Sequence, residues 1–175
     1  MEIPNLEQLL AFYNTPPLWR GEFSEVQQFE FPAIPSRSLI TEVPSPKTRV
    51  LGKRMEHFCE FLLRNSETYE VLLANKQISR NKITLGEIDY LLKNRQTGEI
   101  IHLELVYKFY VYDTAFSSEV DRWIGPNRKD TLVKKLQKLK TQQFPLLEEP
   151  ESIELLESLK IDKARIKQLS CFKAW

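Results

Sequence analysis

The chain has 175 residues, of which 42% are hydrophobic and 28% charged, and this composition predicts one globular domain with a real core. A formal net charge of +1 excludes any argument about partners from overall charge, so only the local distribution of charge is informative. Cys59 and Cys171 are isolated cysteines, which indicates a reducing compartment. No stretch reaches the ~20 apolar residues of a membrane span, so we expect a cytoplasmic protein that does not contact a membrane.

The first 46 residues are predicted to form a short helix and a proline-rich arm. Leu6, Leu9 and Leu10 have helical spacing, and Pro16 and Pro17 end the pattern. Prolines and aromatic residues then alternate up to residue 46, which favours an extended arm packed on the domain surface. We therefore divide the chain into this arm, residues 1–46, and a domain, residues 47–175.

Residues 47–73 are predicted to be helical, because Leu51, Met55, Phe58 and Leu62 form an apolar stripe. Glu56 lies on another face of this helix. It is either a solvated surface charge or a carboxylate that faces the strands that follow.

Three consecutive strands are predicted after this helix. The first runs near residues 71–79 and turns through residues 80–82. The next two form a β-hairpin within residues 84–113, with a polar tip at residues 94–98. A turn centred on Gln96 and Thr97 makes Asn94 face Glu99, and it makes Asp89 face Glu104.

The two faces of this hairpin differ in chemistry. One face is apolar and is expected to cover a core; it collects Ile88, Tyr90, Leu92, Ile101, Leu103, Leu105, Tyr107 and Phe109. The other face carries Glu87, Asp89, His102, Glu104, Val106 and Lys108. Like charges opposite each other are unfavourable, so Asp89 and Glu104 are either both solvated on a wet face or hold a cation such as Mg²⁺. We expect His102 to be a surface residue rather than a ligand.

A basic helix is predicted over residues 128–143. Seven Lys or Arg residues stand against two Asp between Asp121 and Lys140, an excess that suits a phosphate backbone. The candidate nucleic-acid-binding residues are Arg128, Lys129, Lys134, Lys135 and Lys138. Alternatively, the acidic residues at 148–157 neutralise this excess within the fold. A second helix is predicted over residues 150–169, and residues 169–175 resemble a strand cut short by the end of the chain.

The order of these elements resembles that of the PD-(D/E)XK nucleases. Within that group the chain is similar to an uncharacterised bacterial family, the domain of unknown function numbered 1853. The motifs that carry this resemblance are Leu51-Gly52 with Glu56, Thr84-Leu85-Gly86-Glu87-Ile88-Asp89, His102-Leu103-Glu104-Leu105 with Lys108-Phe109-Tyr110, and Gly125-Pro126-Asn127-Arg128 with Asp130.

The resemblance implies an α/β (α+β) fold with a restriction-endonuclease-like core, in which helices flank a mixed β-sheet built on an antiparallel meander. It also implies a phosphodiesterase site that depends on Mg²⁺ or Mn²⁺. Asp89, Glu104 and Glu56 would hold the metal, and Lys108 would orient the attacking water.

One position departs from the motif, which places its Lys two residues after the acid, where this chain has Val106. Lys108 lies on the correct face but roughly 13 Å along the strand from Glu104. Lys134 or Lys135 from the basic helix could take its place.

These observations predict a metal-dependent nuclease acting on DNA or RNA, with nucleic acid as its partner and a homodimer as an option. Val106 supports an alternative, a catalytically inactive module that binds nucleic acid or protein. A third interpretation, a phosphohydrolase of small nucleotides, fits the basic helix less well. His57 and His102 are the only histidines, and no Ser/His/Asp arrangement can be argued from them.

Overall fold

A computed structural model describes residues 5–33, 43 and 45–174. The rest of the chain, including much of the predicted proline-rich arm (residues 34–42 and 44) and Trp175, lies outside the described residues. The helices are α1 (Asn5–Asn14), α2 (Leu51–Arg64), α3 (Leu132–Lys138) and α4 (Pro150–Ser158). The strands are β1 (Glu22–Phe23), β2 (Val26–Gln27), β3 (Tyr69–Arg80), β4 (Ile83–Asn94), β5 (Ile100–Lys108), β6 (Val111–Tyr112), β7 (Trp123–Ile124) and β8 (Ile166–Ala174).

Four long strands form the central sheet in the order β3-β4-β5-β8. The first three make an antiparallel meander, and β8 pairs in parallel with β5, so that Ile100 lies opposite Ile166 and Lys108 opposite Ala174. Apolar residues of α2 pack on one face of this sheet, and those of α3 and the following turns pack on the other. The prediction of a mixed sheet flanked by helices is therefore confirmed.

The predicted register of the central hairpin is confirmed where β4 and β5 pair, from Tyr90 to Lys93. Beyond that ladder the prediction for Ile88 is wrong, because Ile88 packs with Leu91 and Leu146 and not on the face of Tyr90. Tyr90 lies opposite Leu103, and the Asn94 amide donates to the Glu99 carbonyl at 2.8 Å. The Asn94 side chain organises the tip, because its Oδ1 accepts hydrogen bonds from the amides of Gln96 and Thr97. A short-range signal thus specifies which residues of β4 and β5 face each other.

The preceding strand and helix differ from the prediction at their ends. The predicted turn between β3 and β4 is present, with Asn81 and Lys82 at φ values of 50° and 65°, as a two-residue hairpin turn requires. The helix predicted over residues 47–73 is too long, because α2 ends at Arg64. The Ser66 hydroxyl then accepts hydrogen bonds from the amides of Thr68 and Tyr69 and turns the chain into β3.

The middle of the second face of the hairpin is buried, which excludes the first of the two alternatives, a wet face around Glu104. His102 and Glu104 are 0% exposed, and Val106 is 1% exposed. The cover is an apolar cluster from α3 and the turns after it, formed by Leu132, Leu136, Leu139 and Phe144. The prediction that His102 lies on the surface is wrong for this reason. Phe109, expected in the core, is instead 55% exposed.

The two predicted C-terminal helices are shorter than expected. Helix α3 begins at Leu132, where the Thr131 hydroxyl accepts a hydrogen bond from the Lys134 amide, and it continues into a π turn and a 3-10 turn up to Glu148. Helix α4 stops at Ser158 because Lys160 adopts φ 58° and the Ile161 amide donates to the Leu156 carbonyl. The expected terminal strand is present as β8.

The described part of the N-terminal arm runs along β8. The amides of Leu18 and Phe29 donate to the carbonyls of Phe172 and Ser170, and the ring of Trp19 packs on that of Phe172 with centroids 4.8 Å apart. These contacts cover the open edge of the sheet. The division of the chain after residue 46 stays a prediction.

Lys173 on β8 is buried, and it holds the end of α1. Its Nζ donates to the carbonyls of Tyr13 and Thr15 at 2.8 and 2.6 Å, and it lies 5.5 Å from the ring centroid of Phe12. Tyr13 lies in the last turn of α1 and Thr15 directly follows the helix, and a cation is favourable at this end.

We expect Lys173→Met to lower the free energy of unfolding by roughly 2–4 kcal/mol, because it leaves two carbonyls without their donor. Lys167→Met, on the same strand but exposed, should change it by less than about 0.5 kcal/mol. Urea denaturation of both variants measures the difference. Equal midpoints would show that the buried ammonium contributes nothing to the docking of α1.

Candidate active site

The site forms where β4 and β5 stop pairing. Their ladder ends at Tyr90 and Leu103, and in the next position Oδ2 of Asp89 accepts a hydrogen bond from the Leu105 amide at 2.8 Å. Besides burial, which is the larger cause, the charge of Glu104 acts on Asp89 and helps to raise the pKa of the Asp89 carboxyl group. The two carboxyl groups therefore lie close to each other.

Both oxygens of Glu104 have further partners. Nε2 of His102 lies 2.9 Å from Oε1 of Glu104, and Nε2 of Gln143 donates to Oε2. Burial lowers the pKa of His102 to about 4, so its imidazole is neutral at pH 7. Gln143 is the last residue of the π turn that follows α3. The same turn contains the buried Leu139, which continues the apolar side of α3.

Burial and mutual repulsion change the titration of the pair. Burial is the larger cause and the neighbouring Glu104 the second, and together they raise the pKa of Asp89 to about 7. Burial likewise raises the pKa of Glu104 to about 7. The pair titrates as a unit and retains a proton until close to neutral pH.

Lys135 supplies positive charge next to the carboxyl pair. Its Nζ donates to Oε1 of Gln143 at 2.7 Å, and the same amide side chain donates to Glu104. Burial lowers the pKa of Lys135, while the charge of Glu104 acts in the opposite direction. Gln143 thus connects the lysine to the carboxyl pair.

A cavity of about 190 Å³ opens beside this group. It is lined by Gly52, Glu56, Leu105, Val106, Tyr107, Lys108 and Lys135. Glu56 enters from α2 and Lys135 from α3, so helices on both faces of the sheet contribute. The carboxylate of Glu56 is bound to Nζ of Lys53 at 2.6 Å. Within the described ranges, no group of three or more His, Cys, Asp and Glu side chains is arranged to hold a metal.

Lys108 has a different partner from the one predicted. Its Nζ lies 2.6 Å from Oδ2 of Asp130, at the end of the Gly125–Asp130 motif. The Gly125 amide donates to the Asp130 carbonyl, and a Cβ on Gly125 would lie 3.2 Å from Asp130 atoms. This loop therefore fixes the carboxylate that binds Lys108.

The predicted nucleic-acid-binding residues divide into two groups. Lys129, Lys134 and Lys138 are exposed, and none forms an ion pair with a carboxylate in the part of the chain that the structure describes. Arg128 is exposed and pairs with Asp113, whereas Lys135 lies in the site.

The structure does not support the alternative that the acidic residues at 148–157 neutralise the basic helix. Glu149 and Glu151 bind Arg80 on β3, and Glu148 binds Lys163. The positive charge of α3 is left facing solvent.

Sequence reasoning missed the roles of His102 and Gln143 as partners of Glu104. A signal for Gln143 existed, because this polar residue continues the helical spacing of Leu132, Leu136 and Leu139 and so must reach the sheet with them. No comparable signal distinguishes His102, because the alternation of side chains does not show whether another element packs on the polar face of the hairpin.

Fold and site together define an α+β protein whose mixed sheet carries a buried Glu104 close to a half-buried Asp89. The chain belongs to the family described as domain of unknown function DUF1853, whose model matches residues 12–175. No curated protein and no solved structure matches the chain. Among the described helices, none has the length and apolar character needed to cross a membrane. A cytoplasmic location and a homodimer stay predictions.

Proposed function

We propose that this protein is a Mg²⁺- or Mn²⁺-dependent nuclease with a restriction-endonuclease-like core, which hydrolyses phosphodiester bonds of DNA or RNA. One observation carries the proposal: the buried Glu104 lies close to the half-buried Asp89, with Lys135 connected to Glu104 through Gln143 and a cavity beside the group. Paired carboxylates and a lysine with perturbed pKa values, placed at a cavity, are typical of a functional site.

The order of elements supports this proposal. Helix α2 with Glu56 precedes the meander, Asp89 and Glu104 lie on its second and third strands, and the basic helix α3 follows. This is the order in which the resemblance to the PD-(D/E)XK nucleases places the corresponding groups.

The donor atoms of the pair fit a hard divalent cation. Mg²⁺ prefers oxygen ligands and is often held by one or two carboxylates together with waters, so Asp89 and Glu104 would bind it. Glu56 lines the cavity together with Leu105 and Val106, which follow Glu104 on β5. A cation there would replace the proton that the pair otherwise retains. When bound, it would polarise the phosphodiester and lower the pKa of a water molecule.

Lys135 is the residue best placed for the role that the resemblance gives to a lysine. Both lysines line the cavity, but Lys108 is bound to Asp130, whereas Lys135 is oriented by Gln143 toward Glu104. A lysine whose pKa is lowered by burial can hold or release a proton near neutral pH more readily than an exposed one. Lys135 would therefore orient water in the cavity, and Lys129, Lys134 and Lys138 would contact the phosphate backbone.

The alternative function is an inactive module that binds nucleic acid or protein. Two observations favour it: Lys108 is engaged by Asp130, and Glu56 is engaged by Lys53. In that case the carboxyl pair is a structural remnant and no cleavage occurs with any metal.

Replacement of Lys135 by Met tests the proposal. We expect cleavage of labelled single- and double-stranded DNA and RNA by the wild type in Mg²⁺ but not in EDTA, and a loss of about 10²-fold or more in Lys135→Met. Lys140→Met is the matched control, since Lys140 is bound to Glu25 and should leave the rate unchanged. Absence of metal-dependent cleavage by the wild type on every substrate would favour the inactive module.

A further inference from the structure

A second cavity, of about 700 Å³, lies between α1, residues 45–49 and the start of α2. We name it the α1–α2 cavity. Its lining includes the cations Lys47, Arg49 and Arg54, and no Asp or Glu from the described residues. Polar donors, among them Asn5 and Thr48, complete the wall. A cavity of this size is large enough for a nucleotide-sized ligand.

The charges of this cavity are not neutralised within the described protein. Neither Lys47, Arg49 nor Arg54 forms an ion pair with any carboxylate that the structure describes, although Arg54 donates to the neutral side chain of Gln8. Elsewhere the arginines are mostly paired, as Arg80 is with Glu149 and Glu151. Three cations around one cavity, without a carboxylate partner among the described residues, favour an anionic ligand.

The α1–α2 cavity adjoins the carboxyl site. Tyr107 lines both cavities. Leu51 lines the α1–α2 cavity, and its neighbour Gly52 lines the cavity beside the carboxyl pair. On α2, Arg54 lines the α1–α2 cavity and Glu56 lines the cavity beside the carboxyl pair. A strand whose end occupies the α1–α2 cavity would thus have a phosphodiester bond near Asp89 and Glu104.

We propose that the α1–α2 cavity binds the terminal phosphate of a nucleic-acid strand, so that the protein acts on phosphorylated ends; the identity of this ligand as a strand rests on the proposed nuclease function. A terminal phosphate carries about −1.5 to −2 charges at pH 7, whereas each backbone phosphodiester carries one. The doubly charged group matches three unpaired cations better. The start of α2, which has no side-chain cap, adds donor groups at the same place.

The test is fluorescence anisotropy in EDTA with a labelled short single strand bearing a 5′-phosphate, a 3′-phosphate or only hydroxyl ends. We expect the wild type to bind one phosphorylated form at least tenfold more tightly than the hydroxyl form. Lys47→Gln with Arg49→Gln, both exposed residues, should reduce this preference below twofold. The matched control, Arg165→Gln with Lys167→Gln, removes two exposed cations elsewhere and should retain it.

Equal binding of all three strands by the wild type, or a preference that survives in the Lys47 and Arg49 double variant, would overturn the inference. Competition by inorganic phosphate alone, with no end preference, would also overturn it, because the site would then take the free anion. The two proposals fail separately. End preference without metal-dependent cleavage contradicts the nuclease, and cleavage without end preference contradicts the phosphate site.

Discussion

Glu104→Gln is expected to reduce metal-dependent cleavage by about 10³-fold while leaving the protein folded. The substitution keeps the shape of the side chain and removes one of two charges that would bind the cation. Glu104 lies at the centre of the site, between Asp89, His102 and Gln143. Calorimetric titration with Mg²⁺ or Mn²⁺ should show that cation binding is lost in the same variant.

Glu70→Gln, on the exposed side of β3, is the matched control and should cleave and bind the cation as the wild type does. We expect the free energy of unfolding of Glu104→Gln at pH 7 to be unchanged or higher, because a like-charge contact is removed. A Glu104→Gln variant that cleaves at the wild-type rate would place the active site elsewhere.

Asp89→Asn is expected to make the protein more stable above pH 7 than the wild type, in the absence of divalent cations. Burial and the neighbouring Glu104 raise the pKa of Asp89 from 3.8 to about 7, so the folded state binds its proton more tightly than the unfolded state does. The stabilisation from this proton is complete below about pH 4 and is lost as the pH rises through about 7. Asn retains an acceptor for the Leu105 amide but has no proton to lose.

The wild type should therefore lose about 4 kcal/mol of unfolding free energy between pH 4 and pH 8 relative to Asp89→Asn. His102 acts in the opposite sense, since its lowered pKa makes the fold less stable below about pH 6.5, but it is present in both proteins and largely cancels. Urea denaturation at several pH values measures the difference. Parallel pH profiles for the two proteins would mean that Asp89 titrates as an exposed carboxyl.

The hairpin could be predicted from the sequence because its determinants are local. The polar tip and the alternation of apolar residues specified which residues pair, and the contact between Asp89 and Glu104 followed from that register. The ends of the helices were harder to predict from the sequence. The Ser66 turn after α2 and the left-handed Lys160 after α4 stop helices that the apolar spacing alone would extend.

The burial of the site could not be predicted, because it depends on contacts between distant parts of the chain. The strand face that carries His102, Glu104 and Val106 has a composition typical of a solvent-exposed face. The docking of α3 covers this face and makes it part of the interior. The same docking selects Lys135 rather than Lys134 to enter the site, a choice that the sequence left open. The ion pair of Lys108 with Asp130 could not be predicted, because Asp130 belongs to a loop whose path no local signal reveals.

The position of β8 has a consequence for the order in which the protein matures during its synthesis. Strand β5 leaves the ribosome well before β8, its parallel neighbour. The N-terminal arm, which pairs with the other side of β8, is made earlier still, because Gln28 and Phe172 are 144 positions apart. Pairings this distant are slow to form. Until β8 and α3 are in place, Glu104 is in contact with water and titrates as an ordinary acid. The nascent chain should therefore be without the buried environment of Glu104 until β8 has been translated.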